Sequence, residues 1–273
     1  MSDAHAMTLA DGTSLSVRID GSEGAPWLVF SNSVLTDLSV WEAQAEALKD
    51  RFRILRYDQR GHGRSGVTEG AMDFHRYGAD VIALMDALGI GRCSFVGLSM
   101  GVPTGLAAVA AAPERFDRFV AVDGVSRSAP GREAFWGERR DTARATGMAE
   151  IARQTAPRWM PGLDEAAPQM ERLRRMIAAT PVEGFAAATH ALASYDLSGV
   201  AATLACPFLG ITGEKDGAMP EAVRAQFAAV PGARFVDIPG AGHLPNFQDP
   251  KAFNTALARF LDATTTHSPK ETR

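Results

Sequence analysis

Apolar and polar residues alternate along Leu15-Ser16-Val17-Arg18-Ile19, the two-residue period of a half-buried strand. Trp27-Leu28-Val29-Phe30 is apolar throughout, as a strand covered on both faces must be. From there strand and helix patterns take turns. Trp41 to Lys49 reads as a helix and Arg53 to Tyr57 as a strand. Phe74 to Leu88 carries the stripe of an amphipathic helix and is closed by Gly89. Ser94-Phe95-Val96 is a short buried strand. Met100 to Ala112 is an Ala-rich helix stopped by Pro113, and Phe119 to Val122 is a further apolar strand. Alternation of this kind predicts an α/β architecture, a mostly parallel central sheet flanked by helices. Between Ser126 and Tyr195 the rhythm stops, and Ala, Arg, Met and Glu recur at helical spacing with no strand. It resumes at Phe208-Leu209-Gly210-Ile211 and Phe235-Val236-Asp237-Ile238, and ends in the helix Lys251 to Leu261. A helical stretch let into a parallel sheet predicts a cap over the carboxyl edge, where ligands bind in such folds. The expected organisation is a core from residues 1–125 and 196–263, a helical cap from 126–195, and a disordered polar tail over 264–273.

Composition narrows the picture. The 273 residues are 46% hydrophobic, enough for one large core. A net charge of −4 forces no basic face, so nucleic acid is not an expected partner. No run of about 18 apolar residues could span a membrane. The segment after Met1 lacks the apolar stretch of a secretory signal, so a cytoplasmic location is expected. Cys93 and Cys206 each lie beside a predicted strand and read as buried free thiols of a reducing compartment. The partner to look for is a small molecule; a homo-oligomer stays open.

The chemistry enters at Gly97-Leu98-Ser99-Met100-Gly101, a G-x-S-x-G sequence with a strand before it and a helix after. A serine at such a sharp turn projects its hydroxyl into the cleft, and the flanking glycines let strand and helix come close. The bland alternative is a helix N-cap serine after a glycine turn. In this arrangement the acid and then the histidine follow the serine in sequence. Of His190, His243 and His267, which follow Ser99, His267 lies in the tail and His190 in the cap, where packing or pocket lining is expected. His243 lies in Gly240-Ala241-Gly242-His243-Leu244, directly after the last strand, and is the expected base. Asp216, in the loop after the strand Phe208 to Thr212, is the preferred acid. Asp123, at the end of Phe119 to Val122, is its rival, and Glu214 a weaker alternate. The acid orients the imidazole and stabilises its cation. The oxyanion donors expected are the N–H of Met100 and that of Val34, from the loop Ser31-Asn32-Ser33-Val34-Leu35. His62, in a glycine-rich loop, precedes Ser99 and reads as structural.

Taken together these stretches resemble the α/β-hydrolases, with a cap inserted after the sixth strand. More narrowly they resemble the 3-oxoadipate enol-lactonases of aromatic catabolism. The narrower resemblance rests on Ser31-Asn32-Ser33 with Thr36-Asp37-Leu38 and Trp41, on RILRYDQRGHGRS from Arg53 to Ser65, and on Gly97 to Gly101. It also rests on Ala179-Thr180-Pro181, Glu183-Gly184-Phe185 and Asp196-Leu197. It covers nearly the whole chain. Three places depart from the pattern. Leu35 stands where the resemblance implies glycine. Asp123-Gly124-Val125-Ser126-Arg127 stands for an Asn-Thr-Ala type segment, and His190 for a small residue.

The resemblance implies a serine hydrolase that opens a lactone through an acyl-enzyme, with no cofactor and no metal. Its carboxylate-bearing substrate needs a cap cation. Arg139 and Arg158 are the candidates, near Trp136 and Trp159, which suit a pocket wall. Against this, the arginines could form a solvated cap face and the tryptophans cap core. Other readings are an esterase or lactonase for another small substrate, a carbon–carbon hydrolase or perhydrolase, and a non-catalytic ligand receptor. Haloalkane dehalogenation is disfavoured because it needs an aspartate at position 99.

Overall fold

The computed structural model describes residues 4–263. Its strands are β1 (His5–Thr8), β2 (Ser14–Asp20), β3 (Trp27–Ser31), β4 (Arg53–Tyr57), β5 (Cys93–Leu98), β6 (Phe116–Val122), β7 (Phe208–Gly213) and β8 (Arg234–Ile238). They form one sheet in the order β1-β2-β4-β3-β5-β6-β7-β8. β1 and β2 run antiparallel to their neighbours and the rest are parallel. β3 and β5 are buried along nearly their whole length, which explains their unbroken apolar sequence.

The helices are α1 (Glu42–Leu48), α2 (Phe74–Ala87), α3 (Gly101–Ala111), α4 (Arg132–Thr146), α5 (Met148–Trp159), α6 (Pro168–Ala178) and α7 (Val182–Ala193). They are followed by α8 (Ser198–Ala202), α9 (Met219–Phe227), α10 (Pro245–Gln248) and α11 (Pro250–Asp262). α1 packs with α11, and α2, α3, α8 and α9 form a second contiguous group flanking the sheet. A ladder of rings, Phe95, Phe119, Phe208 and Phe227, crosses the sheet interior with successive centroids 5.6, 6.3 and 4.5 Å apart.

α4 to α7 lie between β6 and β7 in sequence and pack mainly in pairs, α4 with α7 and α5 with α6. They occupy much of the stretch 126–195, and an isolated bridge joins Arg127 to Asp196. α7 rests on the loop after β4 through bare backbone. A Cβ added at Gly184 would lie 2.1 Å from the Gly61 carbonyl oxygen, and one added at Gly61 would lie 2.8 Å from the Gly184 Cα. Gly61 also has left-handed backbone, φ +78°. Four elements went unforeseen, β1, α8, α9 and α10. Cys93 is buried and Cys206 only half-buried, both as free thiols, so the expectation of two buried cysteines is corrected for Cys206. The expected tail, 264–273, lies outside the described residues. Among the described residues no helix is long and apolar enough to cross a membrane.

Candidate active site

The turn from β5 into α3 puts Ser99 in left-handed backbone, φ +51°. Its N–H donates to the Val122 carbonyl at 2.7 Å, tying the turn to β6. Both flanking glycines are required. A Cβ at Gly97 would sit 2.4 Å from the Gly101 oxygen, and one at Gly101 would sit 2.4 Å from the Ser31 oxygen. Thr104 on α3 donates to Gln59 Oε1 at 2.9 Å, and Gln59 Nε2 donates to the Asn32 carbonyl at 2.6 Å. That relay braces the loop after β3 against the turn.

The loop after β8 carries His243 to the same place. Its Nε2 lies 3.0 Å from Ser99 Oγ and its Nδ1 lies 2.7 Å from Asp216 Oδ2. Gly213 and Gly242 let the β7 and β8 loops touch, since a Cβ on Gly213 would meet the Gly242 oxygen at 1.9 Å. Glu214 does not reach the imidazole. It accepts from the Gly240 N–H at 2.8 Å and so holds the histidine loop. Burial pushes the Asp216 carboxyl up, but the charge and hydrogen bond of His243, with Asp123 and Arg158, hold it below its ordinary value. Asp123 is wholly buried, and the hydrogen bond to His243 Nδ1 comes from Asp216 and not from it. Burial and then the Asp216 charge raise its carboxyl well above the usual range.

Val34 and Leu35 line the cleft beside Ser99. Among the described residues, the N–H groups of Val34 and Met100 have no intramolecular acceptor. Leu35 has φ +66°, so the one position where the resemblance implied glycine does take a glycine-like backbone. Leu35, Ser99 and Asp123 are the three non-glycine residues with positive φ among the described residues, and all three line this one cleft.

The cleft, about 460 Å³, is roofed by α4 and α5. Trp136, Arg139, Arg158 and Trp159 all line it. The Trp159 ring lies 4.9 Å from that of His243, and Trp136 is both cleft wall and core. Arg139 is buried rather than solvated. Burial, with Arg158 and Arg132 close by, pulls its guanidinium down to about 10. Its side chain donates to Gln154 and Thr155, but no carboxylate pairs with Arg132, Arg139 or Arg158 among the described residues. Arg132 was not foreseen. It stacks over Phe135 and Trp136, 4.2 and 5.0 Å from the ring centroids. Its helical spacing from Trp136 and Arg139 is the signal that could have found it.

Two histidines stand apart. His62 is fully buried, with Nδ1 3.1 Å from the Arg60 carbonyl, and burial lowers it to about 4. His190, expected to pack or line the pocket, is instead exposed, in a groove with Arg144 and Glu183. It shares that side of α7 with Ala186 and Ala187, which line the same groove.

Residues 26–250 match the α/β-hydrolase fold family. The 3-oxoadipate enol-lactonase 2 of Acinetobacter baylyi is 32% identical over 250 residues, 91% of this chain and 93% of that protein. The crystal structure of the enol-lactonase from Burkholderia xenovorans LB400 superposes with a TM-score of 0.88 at 36% identity, covering 94% of this chain and 99% of that one. A thermophilic esterase from Thermogutta terrifontis, solved with malate bound, gives 0.87 at 29% identity, covering 95% and 98%. Fold and relatives together define an ester-hydrolysing enzyme. The chain belongs to the α/β-hydrolase family.

Proposed function

We propose that this enzyme opens a small enol-lactone bearing a carboxylate, 3-oxoadipate enol-lactone first among them, with Ser99, His243 and Asp216 as its catalytic triad. The observation that carries the proposal is the pairing of two features in one cleft. A hydrogen-bonded Ser-His-Asp chain lies at its floor, and arginines without carboxylate partners line its wall. Ser99 Oγ attacks the lactone carbonyl as His243 Nε2 takes its proton. The Val34 and Met100 amides hold the oxyanion. The ring C–O bond breaks, and His243 hands the proton to the departing enol oxygen, which rearranges to the ketone. Water, deprotonated by His243, then cleaves the acyl-enzyme and releases a 3-oxo acid. Arg139 and Arg132 neutralise the substrate carboxylate, flanked by Trp136 and Trp159. Residues 126–195 act as the cap that closes the site over a core of the remaining chain. No metal or organic cofactor has a part in this scheme.

Leu35 supports a second reading, an esterase for another small carboxylated substrate. A leucine there fills space that the enol-lactonase pattern leaves to glycine. The deciding measurement is kcat/KM on the enol-lactone beside a short p-nitrophenyl ester, each with the Ser99→Ala variant. A value of about 10⁴–10⁸ M⁻¹s⁻¹ on the lactone, lost in the variant, is expected. Cleavage of the ester alone refutes the lactone assignment and leaves the triad standing.

A further inference from the structure

Asp123 has no part in the scheme above, yet it is fixed with care. Its backbone N–H donates to the Ile211 carbonyl at 3.0 Å. The Gly213 N–H reaches both its carboxyl oxygens, each at 3.1 Å. Its neighbour Gly124 lies so close to the Ser99 turn that a Cβ would meet the Ser99 oxygen at 2.6 Å. Its carboxyl faces that of Asp216. One oxygen of each and a ring nitrogen of His243 all lie within 4.8 Å of one another.

Two facing carboxyl groups, one of them cut off from water, cannot both ionise; one proton stays between them. The surroundings decide which group keeps it. Asp123 is faced by Asp216 and by Asp237, both acidic. Asp216 is less buried and is faced by His243 and Arg158, both of which favour its charge. The negative charge therefore rests on Asp216 and the proton on Asp123. Asp216 hangs from the loop after β7, whereas Asp123 is anchored at the end of β6, inside the sheet.

We propose that Asp123 is a positioning residue: its carboxylic acid O–H donates to Asp216 and fixes the carboxylate that orients His243. This rests on the triad reading given above. The hydrogen bond steadies Asp216 without adding a second negative charge beside the imidazole.

The test compares the parent with Asp123→Asn and Asp123→Ala by two readouts across pH. The first is the rate at which a fluorophosphonate labels Ser99, which does not depend on the natural substrate. Alanine removes the donor, and the rate should fall about 10-fold to 100-fold. Asparagine keeps an N–H for Asp216 and a carbonyl for Gly213, and should restore the rate to within about threefold of the parent. The second readout is Tm. A carboxyl raised on folding gives stability that is complete below its unfolded value of 3.8 and is lost as pH climbs towards the folded one. Asparagine has no such loss, so Tm of Asp123→Asn minus that of the parent should grow from about pH 4 to about pH 8. A Tm difference that ignores pH, or an asparagine variant as slow as the alanine one, overturns the proposal. The thermal arm decides even if the alanine variant does not fold. A parent that fails to label at Ser99 overturns the triad reading and the positioning role with it, while the thermal comparison still reads the Asp123 proton.

Discussion

Replacing Arg139 with methionine separates what that residue costs the fold from what it gives the substrate. Arg139 is 9% exposed, and its guanidinium is held down to about 10 from 12.5. At 1.36 kcal/mol per unit, the buried charge costs roughly 3 kcal/mol. The sign is that of a base lowered on folding. The cost is constant at all pH below about 10 and is relieved only between there and 12.5. Methionine removes it but forfeits hydrogen bonds to Gln154 and Thr155 and the contact with the Phe135 ring. Those losses come to about 1.5–4 kcal/mol. The net is within about 1.5 kcal/mol of zero, a Tm change of only a few degrees. A charge-assisted contact to a substrate carboxylate is worth about 1.5–3 kcal/mol, so KM for the enol-lactone should rise roughly 10-fold to 150-fold with kcat little changed. Steady-state kinetics on the lactone and on p-nitrophenyl acetate, with thermal melts of both proteins, make the comparison. Equal losses on the charged and the neutral substrate would refute a carboxylate-binding role. A collapse in Tm would refute the stability estimate.

Four more outcomes are expected. Ser99→Ala should lower kcat at least about 10⁴-fold while the far-UV spectrum and Tm stay at parental values. Leu35→Gly relieves about 1–2 kcal/mol of left-handed strain but gives up about 1.5–3 kcal/mol of burial. Its urea midpoint should therefore report a loss near 1 kcal/mol, well short of the roughly 2–5 typical of a truncated core leucine. Gly184→Ala drives a methyl into the Gly61 backbone and should cost about 1–3 kcal/mol in the same assay. Raising salt from about 0.01 to 1 M shrinks the Debye length from about 30 to 3 Å, so kcat/KM should fall for the anionic lactone and hold steady for the neutral ester.

The parallel sheet was legible because β3, β5 and β6 must be apolar on both faces, a pattern few other structures require. Ser99 and His243 were legible because a strand, a glycine-flanked turn and a helix constrain sequence at every step, as does the order of the residues that follow. Choosing between Asp216 and Asp123 was harder, since both follow strands and only three-dimensional contact separates them. β1 escaped notice because His-Ala-Met-Thr is largely exposed and shows no clear alternation. Arg132 escaped because, in a sequence, an arginine on a cleft-facing helix looks like one on a solvated face. His190 misled for the converse reason: a histidine on a helix of the stretch 126–195 was expected to pack or to line the pocket, but it is exposed.

The contact between Gly61 and Gly184 limits how this sequence can drift. Most tight contacts can be remodelled in two steps, because a larger side chain on one side can be matched by a smaller one on the other. Here neither side has anything to give up, since each residue already has the smallest side chain there is and the obstruction is backbone. No second substitution at either position can rescue a first. A variant that escapes must shift α7 or the loop after β4. The contact between α7 and the loop after β4 is thus a joint that single substitutions at its two glycines cannot loosen.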